Sequence, residues 1–202
     1  MKSHYAFPNT YLVFDLETSG LDPKKDFIVE IGWMLVREGQ VIVEESRLLN
    51  IPGMFISPEA TAIHGITTQQ CCDEGVSVAD ALAEFLPALL MTKGVVITHN
   101  GSLFDLLFLA NCTMDANFLT HLARVRHIDT AAIFKAERLR MKRGYCETQN
   151  KFHNRVLSTR NPLKFNLRHV CDELGVDRTQ FAAHRAAGDV AMTNEIYKRM
   201  CL

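Results

Sequence analysis

Apolar residues along this 202-residue chain fall into short runs of two different periods, and the switches between them lay out the elements. Residues 11–14 (Tyr-Leu-Val-Phe) are a continuous β-prone run ending at Asp15, which predicts a buried strand. Thr18-Ser19-Gly20 and Asp22-Pro23 mark a loop. Ile28–Arg37 and residues 40–45 predict two further strands joined around Glu38-Gly39, as a hairpin or meander. From Pro52 to Gly65 the pattern is irregular, with Ser57-Pro58-Glu59 as a helix start. Residues 78–90 repeat apolar side chains at helical spacing (Val78, Ala81, Leu82, Phe85, Leu86, Leu89), with Pro87 near the end.

The second half reads more helical. Val95–Thr98 predicts a short buried strand, His99-Asn100-Gly101 a turn, and residues 103–110 an apolar helix. Helices are also predicted at 118–124, 130–140, Leu167–Leu174 (stopped by Gly175) and 188–201, with a short strand at 127–129. The order βββαβα, followed by more helix, predicts an α/β fold on a mixed sheet, antiparallel in front and parallel behind. No repeat or long linker divides the chain, so residues 1–202 read as one domain.

Composition narrows the function. Hydrophobic residues are 48% and charged residues 22%, as in a globular protein. No apolar run approaches the ~20 residues of a membrane helix. The cysteines (Cys71, Cys72, Cys112, Cys146, Cys171, Cys201) form no C-x-x-C pair and no Cys/His zinc frame. The chain lacks a charged start followed by an apolar signal core, so they read as reduced packing residues of a cytoplasmic protein. A net charge of −1 gives no global attraction to nucleic acid. Polyanion binding then requires local basic patches or bound cations.

One local patch exists. Residues 135–169 hold Lys135, Arg138, Arg140, Lys142, Arg143, Lys151, Arg155, Arg160, Lys164 and Arg168 against only Glu137 and Glu147. The middle of this stretch, 144–162, is polar and poor in periodicity, and an insertion at about 138–165 is expected. It reads either as a solvated surface loop or as a phosphate-contacting flap. Tyr145, Phe152 and Phe165 either stack on bases or anchor the loop to the core.

Candidate chemistry rests on acids. Asp15 and Glu17 lie two apart at a strand end, so both point to one face. Side by side they repel, and a divalent cation between them relieves the repulsion. Asp105 sits in an apolar run (Leu103, Phe104, Leu106, Leu107, Phe108, Leu109), where a charge is costly unless paired or ligating. Asp189 begins the last helix, five residues after His184. Each has an ordinary alternative: a polar strand end, a polar helix stripe, a charge favoured by the helix dipole, a locally bonded loop histidine. The conjunction points elsewhere, because a strand end and two helix starts converge on one edge of an α/β sheet.

At these residues the chain resembles a known family. DLETSG (15–20), HNGSLFDLLFL (99–109) and HRAAGD (184–189) are similar to the three motifs of the DEDDh, or DnaQ-like, 3′→5′ exonucleases. AIHGIT (62–67) resembles the family's segment between its first two motifs, and IDTAAIF (128–134) its later Asp-Thr strand end. The likeness runs from Tyr11 to Met200, and the H-x₄-D spacing marks the DEDDh branch. Leu16 and Ser19 vary the first motif, and the stretch 135–169 is not a common family feature.

The resemblance implies a ribonuclease H-like fold, a central mixed sheet flanked by helices. It also implies two divalent ions, Mg²⁺ or Mn²⁺, held by Asp15, Glu17, Asp105 and Asp189, with Asp15 bridging both. Such a pair neutralises the phosphodiester and activates a water. His184 becomes the general base, an imidazole whose ordinary pKa of about 6.5 suits neutral pH. The backbone of Leu16 and Thr18, the side chains of Ile63 and His64, and Asn100 and Phe104 become the cleft for the terminal nucleotide. Ile63 and Phe104 equally fit plain core positions. The implied partner is single-stranded or 3′-end nucleic acid, DNA or RNA, with no membrane. Two other functions compete. A polymerase-associated proofreading subunit needs a docking segment, which a chain ending directly after its last helix is not expected to supply. A non-catalytic nucleic-acid-binding module is expected to have lost a metal ligand, and none is missing.

Overall fold

The computed structural model describes residues 8–181 and 184–201. In chain order it has β1 (Thr10–Thr18), β2 (Ile28–Arg37), β3 (Gln40–Leu48), α1 (Pro58–His64), α2 (Thr68–Glu74), α3 (Val78–Met91), β4 (Val95–Thr98) and α4 (Asp105–Asn111). There follow α5 (Ala116–Leu122), β5 (Arg126–Asp129), α6 (Thr130–Arg138), α7 (Gln149–Ser158), α8 (Leu167–Leu174) and α9 (Ala186–Cys201). Among the described residues no helix is long and apolar enough to cross a membrane.

The five strands form one mixed sheet in the order β3-β2-β1-β4-β5. β1–β2 and β2–β3 pair antiparallel, whereas β1–β4 and β4–β5 pair parallel. This is the expected antiparallel front and parallel back. The turn at Glu38-Gly39 is built on two residues of positive φ, which twists a tight hairpin the right way. β1 runs further than the expected stop at Asp15. Its pairing with β2 continues to Thr18, with an irregularity between Glu17 and Thr18. Bulges of this kind commonly lie beside active sites, where they re-aim side chains.

Both sheet faces are covered, as the near-continuous apolar run of β2 requires. Leu12, Phe14 and Leu16 of β1, with Ile31, Trp33 and Leu35 of β2, pack on α3, α4 and α5 through Phe85, Leu89, Phe108 and Phe118. Tyr11 and Val13, with Met34 and Val36, pack on Val190 and Tyr197 of α9. α3 forms around Ser77, whose hydroxyl accepts from the Asp80 N–H, and it tolerates Pro87 in its body. The helix expected over 103–110 is broken. A single 3₁₀ turn at Gly101–Leu103 precedes α4, because Phe104 takes a non-helical backbone.

Two helices escape periodicity. α2 is a single short helix capped by Thr67. α7 lies inside the stretch that reads as polar loop. It buries Phe152, His153, Val156 and Leu157 against Ala131, Ala132 and Ala136 of α6. The basic stretch therefore carries a docked helix, and of the two readings for Phe152 the structure gives the anchor.

Candidate active site

Strand alternation decides where the acids go. The odd-numbered residues of β1 face α9, and Asp15 and Glu17 continue the set begun by Tyr11 and Val13. α9 supplies Asp189 from its first turn. One carboxylate oxygen from each of Asp15, Glu17 and Asp189 lies within 4.8 Å of the others. The approach depends on Gly32, the residue opposite Asp15 in the β1–β2 register. A Cβ at Gly32 would sit 2.7 Å from the backbone carbonyl carbon of Ala186. Glycine here lets the helix start directly on the strand.

Asp105 approaches from α4. It is 4% exposed, and the Leu16 backbone N–H is turned to its carboxylate. The preceding turn is clamped from behind by Asp129, whose carboxylate accepts from the N–H groups of Asn100 at 2.9 Å and Ser102 at 3.0 Å. His99 is fixed by Thr130 Oγ1 at 2.9 Å and the Phe165 carbonyl at 2.9 Å. Asn100 holds a left-handed backbone at φ 65°. A Cβ on Gly101 would lie 2.6 Å from the Asp105 carboxylate, so this turn also needs its glycine.

Crowding and burial make these acids harder to ionise than free carboxyls. Burial, reinforced by Asp105, Asp189 and Glu17, pushes Asp15 well above the usual carboxylate range. Burial and the charge of Asp189 push Glu17 up to about 8. Asp105 rises to about 7, mainly by burial. Burial also raises Asp189, opposed by the N–H and charge of His184 and by the charge of Arg168. Hard oxygen donors without a compensating cation suit a hard divalent ion, and the residues present fit one.

His184 lies beside the cluster. Its backbone N–H points to Asp189 Oδ1 at 3.3 Å, and its φ of 59° is a left-handed value that non-glycine residues rarely hold. Its charge acts on Asp189 and also on His64. His64 is buried, with Nδ1 accepting from the Ile66 N–H at 3.0 Å and the Thr18 backbone close by. Ile63 is 61% exposed on α1, so the core alternative fails for it. Phe104 is half-buried, its ring 4.8 Å from that of Phe108, so it serves partly as core. Leu16 is buried in the core, leaving only its backbone for the site. The Thr18 hydroxyl is used within its own loop, donating to the Gly20 carbonyl at 2.7 Å.

Sequence reasoning missed Glu30. It stands next to Glu17 in the β1–β2 register, is 2% exposed, and is occupied by Arg185, Ser46 and the Ala186 N–H. Burial pushes its carboxyl up, but these donors outweigh it and hold it below the ordinary value. The signal was readable as a lone acid in the middle of an apolar strand.

The basic stretch divides. Lys135 is buried, with Nζ donating to the Leu157 carbonyl at 2.8 Å and lying 4.4 Å from the Phe165 ring centroid, so it staples α7 and meets no phosphate. Arg138 pairs with Glu173 and Arg155 with Glu147. Arg140, Lys142, Arg143, Lys151, Arg160, Lys164 and Arg168 are exposed, as is Tyr145.

A mixed sheet covered by helices on both faces, with an acidic cluster at the end of its central strand and a histidine beside it, defines a carboxylate-site nuclease of ribonuclease H-like fold. Residues 12–197 match the Exonuclease family named for RNase T, and the chain belongs to that family of 3′→5′ exonucleases, which depend on divalent metal. It is 30% identical over 195 residues to the PolC-type DNA polymerase III of Thermotoga petrophila, covering 96% of this chain and 12% of that protein. It is 25% identical over 194 residues to the PolC-type enzyme of Ureaplasma parvum, covering 95% of this chain and 11% of that one. The chain thus spans about an eighth of these curated relatives. The fold is shared with E. coli Exonuclease I in complex with a dT13 oligonucleotide, at a TM-score of 0.69 and 22% identity over 94% of this chain and 40% of that one.

Proposed function

We propose that this chain removes nucleoside 5′-monophosphates one at a time from the 3′ end of a nucleic acid strand, by a two-metal-ion hydrolysis. The observation that carries this reading is the convergence of Asp15, Glu17 and Asp189, one carboxylate oxygen of each within 4.8 Å of the others. Asp15, Glu17, Asp189 and Asp105 would hold two divalent ions, Mg²⁺ or Mn²⁺, which when bound neutralise the phosphodiester and lower the pKa of a water. A ring nitrogen of His184 would take one proton from the attacking water. The water oxygen forms the new bond to phosphorus, and the bond from phosphorus to the 3′-oxygen of the neighbouring nucleotide breaks. That oxygen leaves and takes a proton from solvent water, becoming the new 3′-hydroxyl.

The terminal nucleotide has a fitting neighbourhood. In this reading the exposed Ile63 and Asn100 and the half-buried Phe104 would line the approach, with His64 behind them, and the backbone of Leu16 and Thr18 would meet the sugar. The dT13 oligonucleotide held by the structural neighbour E. coli Exonuclease I supports single-stranded substrate. A strand labelled separately at its 3′ and 5′ ends, as DNA and as RNA, tests this with Mg²⁺. Early release of the 3′ label as mononucleotide is expected. Early release of the 5′ label, or of internal fragments, contradicts it.

A polymerase setting is the second reading. It is favoured by the 30% identity to a PolC-type polymerase along 96% of this chain. Co-purification of a polymerase subunit with the affinity-tagged chain, surviving nuclease treatment, tests it.

A further inference from the structure

We propose that Glu30 and Arg185 form a positioning pair that seats His184 over the carboxylate cluster. The inference rests on the reading of His184 as proton acceptor. Glu30 lies on the α9 face of β2, two residues before Gly32, where α9 begins against the strand. Every donor it meets fastens it in place. Arg185 donates from Nη2 to Oε1 at 2.8 Å and from Nε to Oε2 at 3.1 Å, the two-pronged geometry that a guanidinium alone provides. Ser46 donates to Oε1 at 2.6 Å, and the Ala186 N–H to Oε2 at 3.0 Å. With both oxygens taken, Glu30 is no spare metal ligand, although Glu17 lies directly across from it.

What the pair fixes is the chain on the far side of His184. Residues 185 and 186 are both held by one carboxylate, and the His184 N–H is held by Asp189. Between these anchors His184 keeps its left-handed backbone, a conformation that persists only where its surroundings impose it. Arg185 is half-exposed while Glu30 is buried, so the buried strand supplies the fixed point and the helix start is pulled to it.

The test is a double-mutant cycle with Glu30→Gln and His184→Ala, and Arg185→Lys as a second, milder variant. Glu30→Gln keeps shape and loses the charge that holds the fork. It is expected to lower kcat about 10²-fold, as a displaced catalytic group does, with KM and Mn²⁺ affinity by calorimetry near wild type. In the His184→Ala background the same change is expected to add almost nothing, because the group it positions is gone. Arg185→Lys should reproduce the kcat loss at smaller size with an unchanged melting temperature. An undiminished kcat in Glu30→Gln overturns the proposal, as does the full loss repeated on top of His184→Ala, or a loss of Mn²⁺ affinity in place of turnover. Near-normal turnover of His184→Ala itself overturns the underlying reading of the histidine, and is told apart by that single variant.

Discussion

Four acids at this site share one electrostatic condition, and it sets what individual substitutions do. Without a cation, Asp15, Glu17, Asp105 and Asp189 are each harder to ionise than in water. Asp15→Ala or Asp189→Ala is therefore expected to remove orders of magnitude from kcat while leaving the metal-free melting temperature equal to or above that of the wild type. A large drop in melting temperature would mark the acids as structural instead. The pH dependence follows with a definite sign. A folded-state pKa above the unfolded value stabilises fully below the ordinary carboxylate range of about 4, and the gain is lost as pH rises through the folded values. Those values reach about 7 for Asp105 and about 8 for Glu17. In chelator, the melting temperature of the wild type relative to Glu17→Gln is expected to fall between roughly pH 5 and pH 8. Added Mg²⁺ should abolish that fall. A difference that stays flat, or rises with pH, would show that the acids do not repel in this way.

At the scale of elements, legibility followed periodicity. β2, β4 and α8 were readable to the residue because an apolar run or stripe with clear stops defines them. The candidate acids were readable because each stands at an edge of such an element. α7 was not, since its apolar positions are spread among Lys151, Asn154 and Arg155 and make sense only against the alanine face of α6. Glu30 stood out as a lone acid in an apolar strand, but its partners appear only when α9 packs on β2. Gly32→Ala should displace the start of α9 and weaken Mn²⁺ binding by at least about tenfold in calorimetry; unchanged affinity would show that the helix does not depend on that close approach.

The stretch between α6 and α7 leaves Arg140, Lys142 and Arg143 exposed to solvent. Phosphate contacts release counterions, so a strand reaching these residues binds more weakly as salt rises. Replacing all three is expected to raise KM for long single strands and flatten the salt slope, with turnover of a dinucleotide nearly unchanged. An unchanged KM and slope would assign this surface to solvent or to a protein partner.

For the molecule as a whole, a net charge of −1 means that the acidic cluster and its cations, together with one basic face, must supply the attraction for a polyanion. The relatives contain a region similar to this chain within much longer polymerases. Under the proposed function, Asp15, Glu17, Asp105 and Asp189 hold divalent cations on which hydrolysis depends. The most direct measurement follows 3′-label release from a single-stranded oligonucleotide by purified protein stripped with chelator and then titrated with Mg²⁺ or Mn²⁺. No release after stripping is expected, with recovery on either ion in the wild type and none in Asp15→Ala. Full activity after exhaustive chelation, or recovery by Asp15→Ala, would contradict the account.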